Sequence, residues 1–348
     1  MDKTIHKIIK ANSNNLQDIS DESVNLIVTS PPYPMIEMWD EQFSIQDSTI
    51  YDDLSSGDGL SAFYKMHKIL NSVWDECDRV LIPNGFICIN IGDATRTIGD
   101  IFQLYSNHTQ VINYFSKKGY SILPDVHWRK PSNAPNKFMG SGMYPAGAYV
   151  TYEHEYILIF RKGNKRVFCG EEKIRRQRSA YFWEERNIWF SDLWEIKGTQ
   201  QNIKKSRGNR DRSAAFPFEI PYRLVNMYSV EGDTVLDPFA GLCTTSLACM
   251  CAKRNSICVD IDSEIIRTAY GRLKNSQDDL NQLIKSRIIK HFEFVDSLSE
   301  EKKEQCYIND SHGFLVKTRQ EKAIKIELLD YIEFTADMFK CGYHAFTK

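Results

Sequence analysis

Val24-Asn25-Leu26-Ile27-Val28-Thr29-Ser30-Pro31-Pro32-Tyr33 couples an apolar, partly β-branched run to a pair of prolines. A short run of that composition reads as a strand buried on both faces, the kind found in parallel sheets. The prolines end it, because neither has an N–H to donate and Pro31 restricts Ser30 to extended backbone. The product is a stiff polar loop at the carboxyl end of a strand, where open α/β sheets place their chemistry. A plain proline-rich turn would look the same, so the reading needs a second signal.

That signal is Thr234-Val235-Leu236-Asp237-Pro238-Phe239-Ala240-Gly241-Leu242-Cys243-Thr244-Thr245, followed by Ser256-Ile257-Cys258-Val259-Asp260-Ile261-Asp262. It reads as strand, small-residue turn, helix and second strand, with an acid about 20 residues after the turn. Such a unit seats a nucleoside on a doubly wound sheet. Gly241 permits close backbone approach in the turn.

Together the two segments resemble the amino-methyltransferases of DNA. Their active-site loop reads Ser/Asp/Asn-Pro-Pro-Tyr/Phe, and their S-adenosyl-L-methionine (SAM) loop reads Asp-Pro-Phe-x-Gly-Ser-Gly-Thr-Thr. Leu242 and Cys243 depart from the latter's Ser-Gly. The Pro-Pro-Tyr loop precedes the SAM loop by some 200 residues, the order typical of the β class. Arg79 to Ile91, Val126 to Pro131, Glu153 to Phe160 and Phe216 to Pro221 resemble further family segments, so the likeness spans roughly residues 5 to 275. It implies a doubly wound, mostly parallel, Rossmann-like α/β sheet. The expected division is a catalytic half at 1–163, a target-recognition insert at 164–213, a SAM-binding half at 214–275 and a helical extension at 276–348.

Composition bounds the rest. At 348 residues the chain can bury a large core, and one domain with insertions is expected. Nine cysteines without Cys-x-x-Cys spacing suit reduced thiols and a cytoplasmic location. No run approaches the length of a membrane span and the amino terminus lacks a signal-peptide pattern, so no membrane partner is expected. The net charge is −2, but residues 161–213 hold 15 Lys/Arg against 7 Asp/Glu, leaving −10 elsewhere. Arg175, Arg176, Arg178, Lys204, Lys205 and Arg207 are interleaved there with Tyr181, Phe182, Trp183, Trp189, Phe190 and Trp194. Cations for phosphates beside aromatic rings form a nucleic-acid footprint, and a solvated basic face over a small aromatic core is the plain alternative. Residues 276–348 read as charged helical segments around Ile324 to Leu329, serving packing or dimerisation.

The chemistry follows from residue types. An exocyclic amino nitrogen is a poor nucleophile because its lone pair is delocalised into the ring. Methylation needs acceptors for its N–H groups, and the Ser30 hydroxyl and Pro31 carbonyl are adjacent acceptors, with Pro32 stiffening the loop. The base must first leave the duplex, and Tyr33 would then stack on it. Trp128 and Lys130 are candidates for the pocket's other wall. The resemblance further implies Asp237 for the methionine ammonium and Asp260, with Asp262 as its near alternative, for the ribose hydroxyls. It places Asn12 near the adenine, Phe216 and Phe239 around the cofactor, and Gly241, Thr244 and Thr245 at its carboxylate. No metal is expected. Cytosine C5 methylation uses Pro-Cys, which is absent, and His291-Phe292-Glu293 lacks the Pro-Cys-x-x-Cys of zinc deaminases.

The resemblance implies transfer of a methyl group from SAM to cytosine N4 in double-stranded DNA, since Ser is the family's usual first residue for cytosine. N6-adenine methylation and an inactive SAM- and DNA-binding protein are the alternatives. Restriction-modification is the expected setting, with a cognate endonuclease or a second copy of the chain as candidate partners.

Overall fold

The computed structural model describes residues 3–130, 139–198, 216–335 and 337–347. In chain order its main elements are β1 (Lys3–Lys10), β2 (Val24–Thr29), α1 (Gly59–Val80), β3 (Leu81–Ile91), α2 (Asn107–Lys117), β4 (Ser121–Arg129) and β5 (His154–Arg161). Then come α3 (Gly170–Arg178), α4 (Trp183–Trp189), β6 (Leu193–Glu195), α5 (Glu219–Tyr228), β7 (Thr234–Asp237), α6 (Thr244–Cys251) and β8 (Asn255–Asp260). The chain closes with α7 (Ser263–Lys274), α8 (Gln277–Asp296), β9 (Glu327–Thr335) and β10 (Met338–Ala345).

These strands form one sheet in the order β6-β4-β5-β3-β2-β7-β8-β1-β10-β9. The central five, β3, β2, β7, β8 and β1, are mutually parallel. Their side chains alternate between two cores. Val24 and Ile27 of β2 join a cluster with Phe63, Leu70, Trp74 and Cys77 of α1, while Leu26 and Val28 join Ile220, Leu224 and Val225 of α5. Helices thus cover both faces, which is why the run from Leu26 to Val28 is apolar at consecutive positions rather than alternating. Helix α1 buries Ala62, Phe63, Met66, Leu70, Val73, Trp74 and Cys77, an i, i+3/i+4 stripe, and the Asp58 carboxylate caps it by accepting from Ser61 N at 3.0 Å.

The expected doubly wound sheet is therefore present, with β2 and β7 side by side at its centre. The extension departs from expectation. Helix α8 is helical, but Glu327–Thr335 is strand β9, and the β9–β10 hairpin pairs antiparallel with β1 in the main sheet. The reason lies in the burial period: Ile324, Ile326 and Leu328 are buried at every second position, a strand period masked by Lys325 and Glu327 between them. Among the described residues no helix is long and apolar enough to cross a membrane.

Candidate active site

The two loops singled out in the sequence meet at the carboxyl edge of the sheet. Leu26 and Ile27 of β2 sit in register with Val235 and Leu236 of β7, which brings Thr29 beside Asp237. Thr29 Oγ1 donates to Asp237 Oδ1 at 2.7 Å, and Thr245 Oγ1 donates to Asp237 Oδ2 at 2.6 Å. Phe239 N adds a third bond at 3.1 Å. Asp237 thus ties the strand before Ser30 to the helix after Gly241. Its carboxyl is buried, and burial pushes its pKa up to about 6 despite those donors.

The turn between β7 and α6 is held from below. Gly241 has φ +50°, and nothing lies within 4 Å of where a Cβ would be, so the backbone faces open space. Gly241 N donates to Asp260 Oδ2 at 2.9 Å, so Asp260, at the end of β8, clasps the turn. Arg272 Nη1 donates to Leu242 O and to Thr244 Oγ1, each at 2.9 Å. Cys243 takes a left-handed φ of 56°, the conformation that a glycine at this position would adopt without strain. Asn12 follows β1 on the same edge: Ala11 N donates to Asp260 O at 3.1 Å, and Ser13 Oγ donates to Pro238 O. Phe239 lies edge-on to Trp74 at 6.0 Å, and Phe216 is partly buried against the α5-side core.

Around the Pro-Pro-Tyr loop the structure assembles a polar network. Tyr33 Oη donates to Glu155 Oε2 at 2.8 Å and lies 3.0 Å from Ser30 Oγ. Asn90 Nδ2, from β3, donates to Tyr33 Oη and to Glu155 Oε2, both at 2.7 Å. Lys130 Nζ pairs with Glu155 Oε1. Asn90 is buried, and its Oδ1 has no hydrogen-bond partner among the described residues. Gly92 makes room for the cluster, because a Cβ there would meet the Tyr33 ring at 3.1 Å and Glu155 Cγ at 3.2 Å.

The sequence model of the DNA methylase family matches residues 24–271, which includes both loops. The chain belongs to the N6/N4 DNA methylase family. The Type II methyltransferase M.MthZI of Methanothermobacter thermautotrophicus is 49% identical over 328 residues, covering 93% of this chain and 90% of that one. M.MjaI, a Type II methyltransferase of Methanocaldococcus jannaschii, is 49% identical over 273 residues, 75% of this chain and 89% of its own. Among solved structures, TTHA0409 of Thermus thermophilus complexed with SAM superposes with a TM-score of 0.59 at 27% identity, covering 77% of this chain and 92% of that one. The cytosine-N4-specific PvuII DNA methyltransferase shares the fold, with a TM-score of 0.51 at 18% identity and coverage of 77% and 86%.

Within this methylase some of the residues named from the sequence come together at the carboxyl edge of the sheet and others lie away from it. Ser30, Tyr33, Asp237, Gly241, Thr244, Thr245, Asp260 and Asn12 gather on one edge. Trp128 is a correction: its ring is 2% exposed among Val126, Ile157 and Trp194, and its N–H is spent on Ile196 O at 2.7 Å. Tyr33 likewise commits its hydroxyl to the buried network. Arg175, Arg176 and Arg178 are a second correction. Arg166 binds Asp233 at 2.7 and 3.1 Å, and Ser179 Oγ accepts from Glu231 N at 2.7 Å. Both acids precede β7, so α3 is pinned to the amino edge, opposite Ser30. Phe182, Trp189 and Trp194 are core residues, 0%, 5% and 1% exposed, and not base-reading side chains. Lys204, Lys205 and Arg207 lie outside the described residues. Sequence pattern assigns no role to Asn90, Glu155 or Arg272. Asn90 and Glu155 sit on strands β3 and β5, and only the sheet order brings them to Ser30.

Proposed function

We propose that this methylase transfers a methyl group from SAM to the exocyclic N4 of cytosine flipped out of duplex DNA, as the modification half of a restriction-modification system. One observation carries the reading: a serine hydroxyl, not a carboxylate or amide, heads the Pro-Pro-Tyr loop, beside the buried Asn90–Tyr33–Glu155 network. The Type II methyltransferases of similar sequence support the setting, and the SAM-bound structural neighbour supports the co-substrate.

The residues present fit SAM. Open space at Gly241, the Asp260 carboxylate at the end of β8 and the Asn12 amide beside it make a donor and acceptor set for a nucleoside with a charged tail. Asp260 and Asn12 would hold the nucleoside, Asp237 the ammonium, and Thr244 with the Gly241 turn the carboxylate; Phe216 and Phe239 flank them. Bound SAM supplies an electrophilic methyl on a sulfonium. The chain supplies acceptors: Ser30 Oγ and the Pro31 carbonyl take the amino hydrogens, so that the nitrogen's lone pair is free to turn toward the methyl. Lys130, tied to Glu155, fixes the wall behind Tyr33.

Nucleoside analysis by mass spectrometry of DNA methylated by the purified protein tests the base. N4-methylcytosine is expected, and N6-methyladenine in its place would sink the assignment.

DNA contact is proposed for the carboxyl edge, toward which β6 leads in register with β4, and, on their charge alone, for Lys204, Lys205 and Arg207. Arg175, Arg176 and Arg178 are on the other edge, so changing all three to Gln should leave the salt dependence of DNA affinity unaltered. Neutralising a cation that does meet a phosphate would lower the slope by about one. A shallower slope would show that the duplex reaches round to α3.

A further inference from the structure

We propose that Glu155 is a positioning residue for methyl transfer. It sets the direction of a hydrogen-bond chain from Ser30 through Tyr33, so that the Ser30 oxygen meets the target amine as an acceptor. The inference rests on the proposed role of Ser30 toward an amino group and adds what makes that hydroxyl an acceptor.

A hydroxyl can donate or accept, and an amino group with a delocalised lone pair is a donor. A serine whose hydrogen pointed at the base would oppose the N–H groups it has to bind. An ionised carboxylate, by contrast, only accepts. Glu155 Oε2 stands 2.8 Å from Tyr33 Oη and 2.7 Å from Asn90 Nδ2, and Oε1 pairs with Lys130. The phenol's single hydrogen therefore goes to Glu155. The Asn90 amide turns its nitrogen to the same side, because its oxygen would face the carboxylate.

With the Tyr33 hydrogen committed, the 3.0 Å contact between Ser30 Oγ and Tyr33 Oη is filled by the serine's own hydrogen. Asn90 Nδ2 meets one lone pair on Ser30 at a long 3.4 Å, and the other is left for an incoming donor. Burial and the neighbouring Glu155 push the Tyr33 phenol well above its usual range, which keeps that hydrogen in place. The unmet Asn90 Oδ1 is a second buried acceptor in the cluster. The titratable groups bonded to Glu155 are Tyr33 from the loop and Lys130 after β4, while β3 contributes the neutral Asn90. On β5 itself, His154 and Tyr156 alternate to the other face of the sheet.

The test uses the full chain and a duplex substrate, with Glu155→Gln, Glu155→Asp, Tyr33→Phe and the Glu155→Gln/Tyr33→Phe double variant. Single-turnover methyl transfer is followed, with DNA affinity, SAM affinity and thermal melting measured alongside. Glutamine has nearly the same shape but offers an amide donor, so it no longer forces the direction. Its rate should fall about a hundredfold, the scale for losing an oriented polar group in a water-excluded site, with both affinities little changed. Glu155→Asp, which keeps an acceptor-only carboxylate, should recover part of the rate that Glu155→Gln loses. The double variant should be no slower than the slower single one, because both changes break one chain. A Glu155→Gln enzyme with the wild-type rate, or additive losses in the double variant, would overturn the proposal. N6-methyladenine as product with the same variant pattern would support the chain and sink only the choice of base. N4-methylcytosine with neutral variants would do the reverse.

Discussion

Ser30→Ala is expected to lower kcat by about two to three orders of magnitude, as loss of one preorganised polar partner of the reacting group does. The substituted chain should keep its fold, since among the described residues Ser30 Oγ bonds only to Tyr33 and, at a long 3.4 Å, to Asn90, both in the active-site network. DNA and SAM affinities should change little, because the acceptor matters most as the amine gives up its planar geometry. The check is a single-turnover rate at saturating SAM and DNA, beside calorimetric affinities for each. An alanine variant of undiminished rate would mean that backbone acceptors such as the Pro31 carbonyl suffice.

The second large effect concerns Asp237 and is a matter of pH. In the unfolded chain this carboxyl has a pKa of 3.8, and burial in the fold raises it to about 6. Between those values the folded chain holds a proton that the unfolded chain has released, so stability falls as pH rises through the window. A shift of roughly two units corresponds to about 3 kcal/mol, lost in full once pH exceeds about 6. Asp237→Asn removes the titration while keeping the shape. Relative to wild type, the variant should therefore gain up to about 3 kcal/mol between pH 4 and pH 7, read as the difference between two denaturant series. Parallel stability curves for the two proteins would show that Asp237 titrates normally. Saturating SAM should flatten the wild-type curve if its ammonium meets this carboxylate, because the cation favours the ionised form. An unchanged slope with SAM bound would move the ammonium elsewhere.

Why a buried acid sits there follows from the sheet. Thr29 precedes the Pro-Pro-Tyr loop and Thr245 follows the SAM turn, and both donate to Asp237. The carboxylate thereby fixes one loop relative to the other, at the cost of its own desolvation. The sequence suggested a ligand role for Asp237 and Thr245 but could not show that they bond to each other.

The uneven legibility of the insert has a similar origin. Its charge excess was plain, yet charge does not say which edge of a sheet a helix will sit on. One ion pair, Arg166 with Asp233, and one cap-like bond from Glu231 N to Ser179 settle that for α3. Rings that looked available for stacking are consumed by packing: Phe182 stacks on the buried His291 at 3.9 Å, and Trp194 lies under Arg223 at 4.8 Å.

What the sequence determined by itself was local and covalent: apolar runs long enough only for buried strands, prolines that stop one of them, a small-residue turn before a helix, and a serine at the head of the loop. Each depends on neighbours in the chain, so each could be read in order. The tertiary structure decided which residues from separate strands share a site. Asn90 and Glu155 lie 65 residues apart and reach Ser30 only because β3 pairs with β2 on one side and with β5 on the other. That adjacency is a property of strand order, which short-range pattern does not encode, and it turns a hydroxyl of either sense into an acceptor.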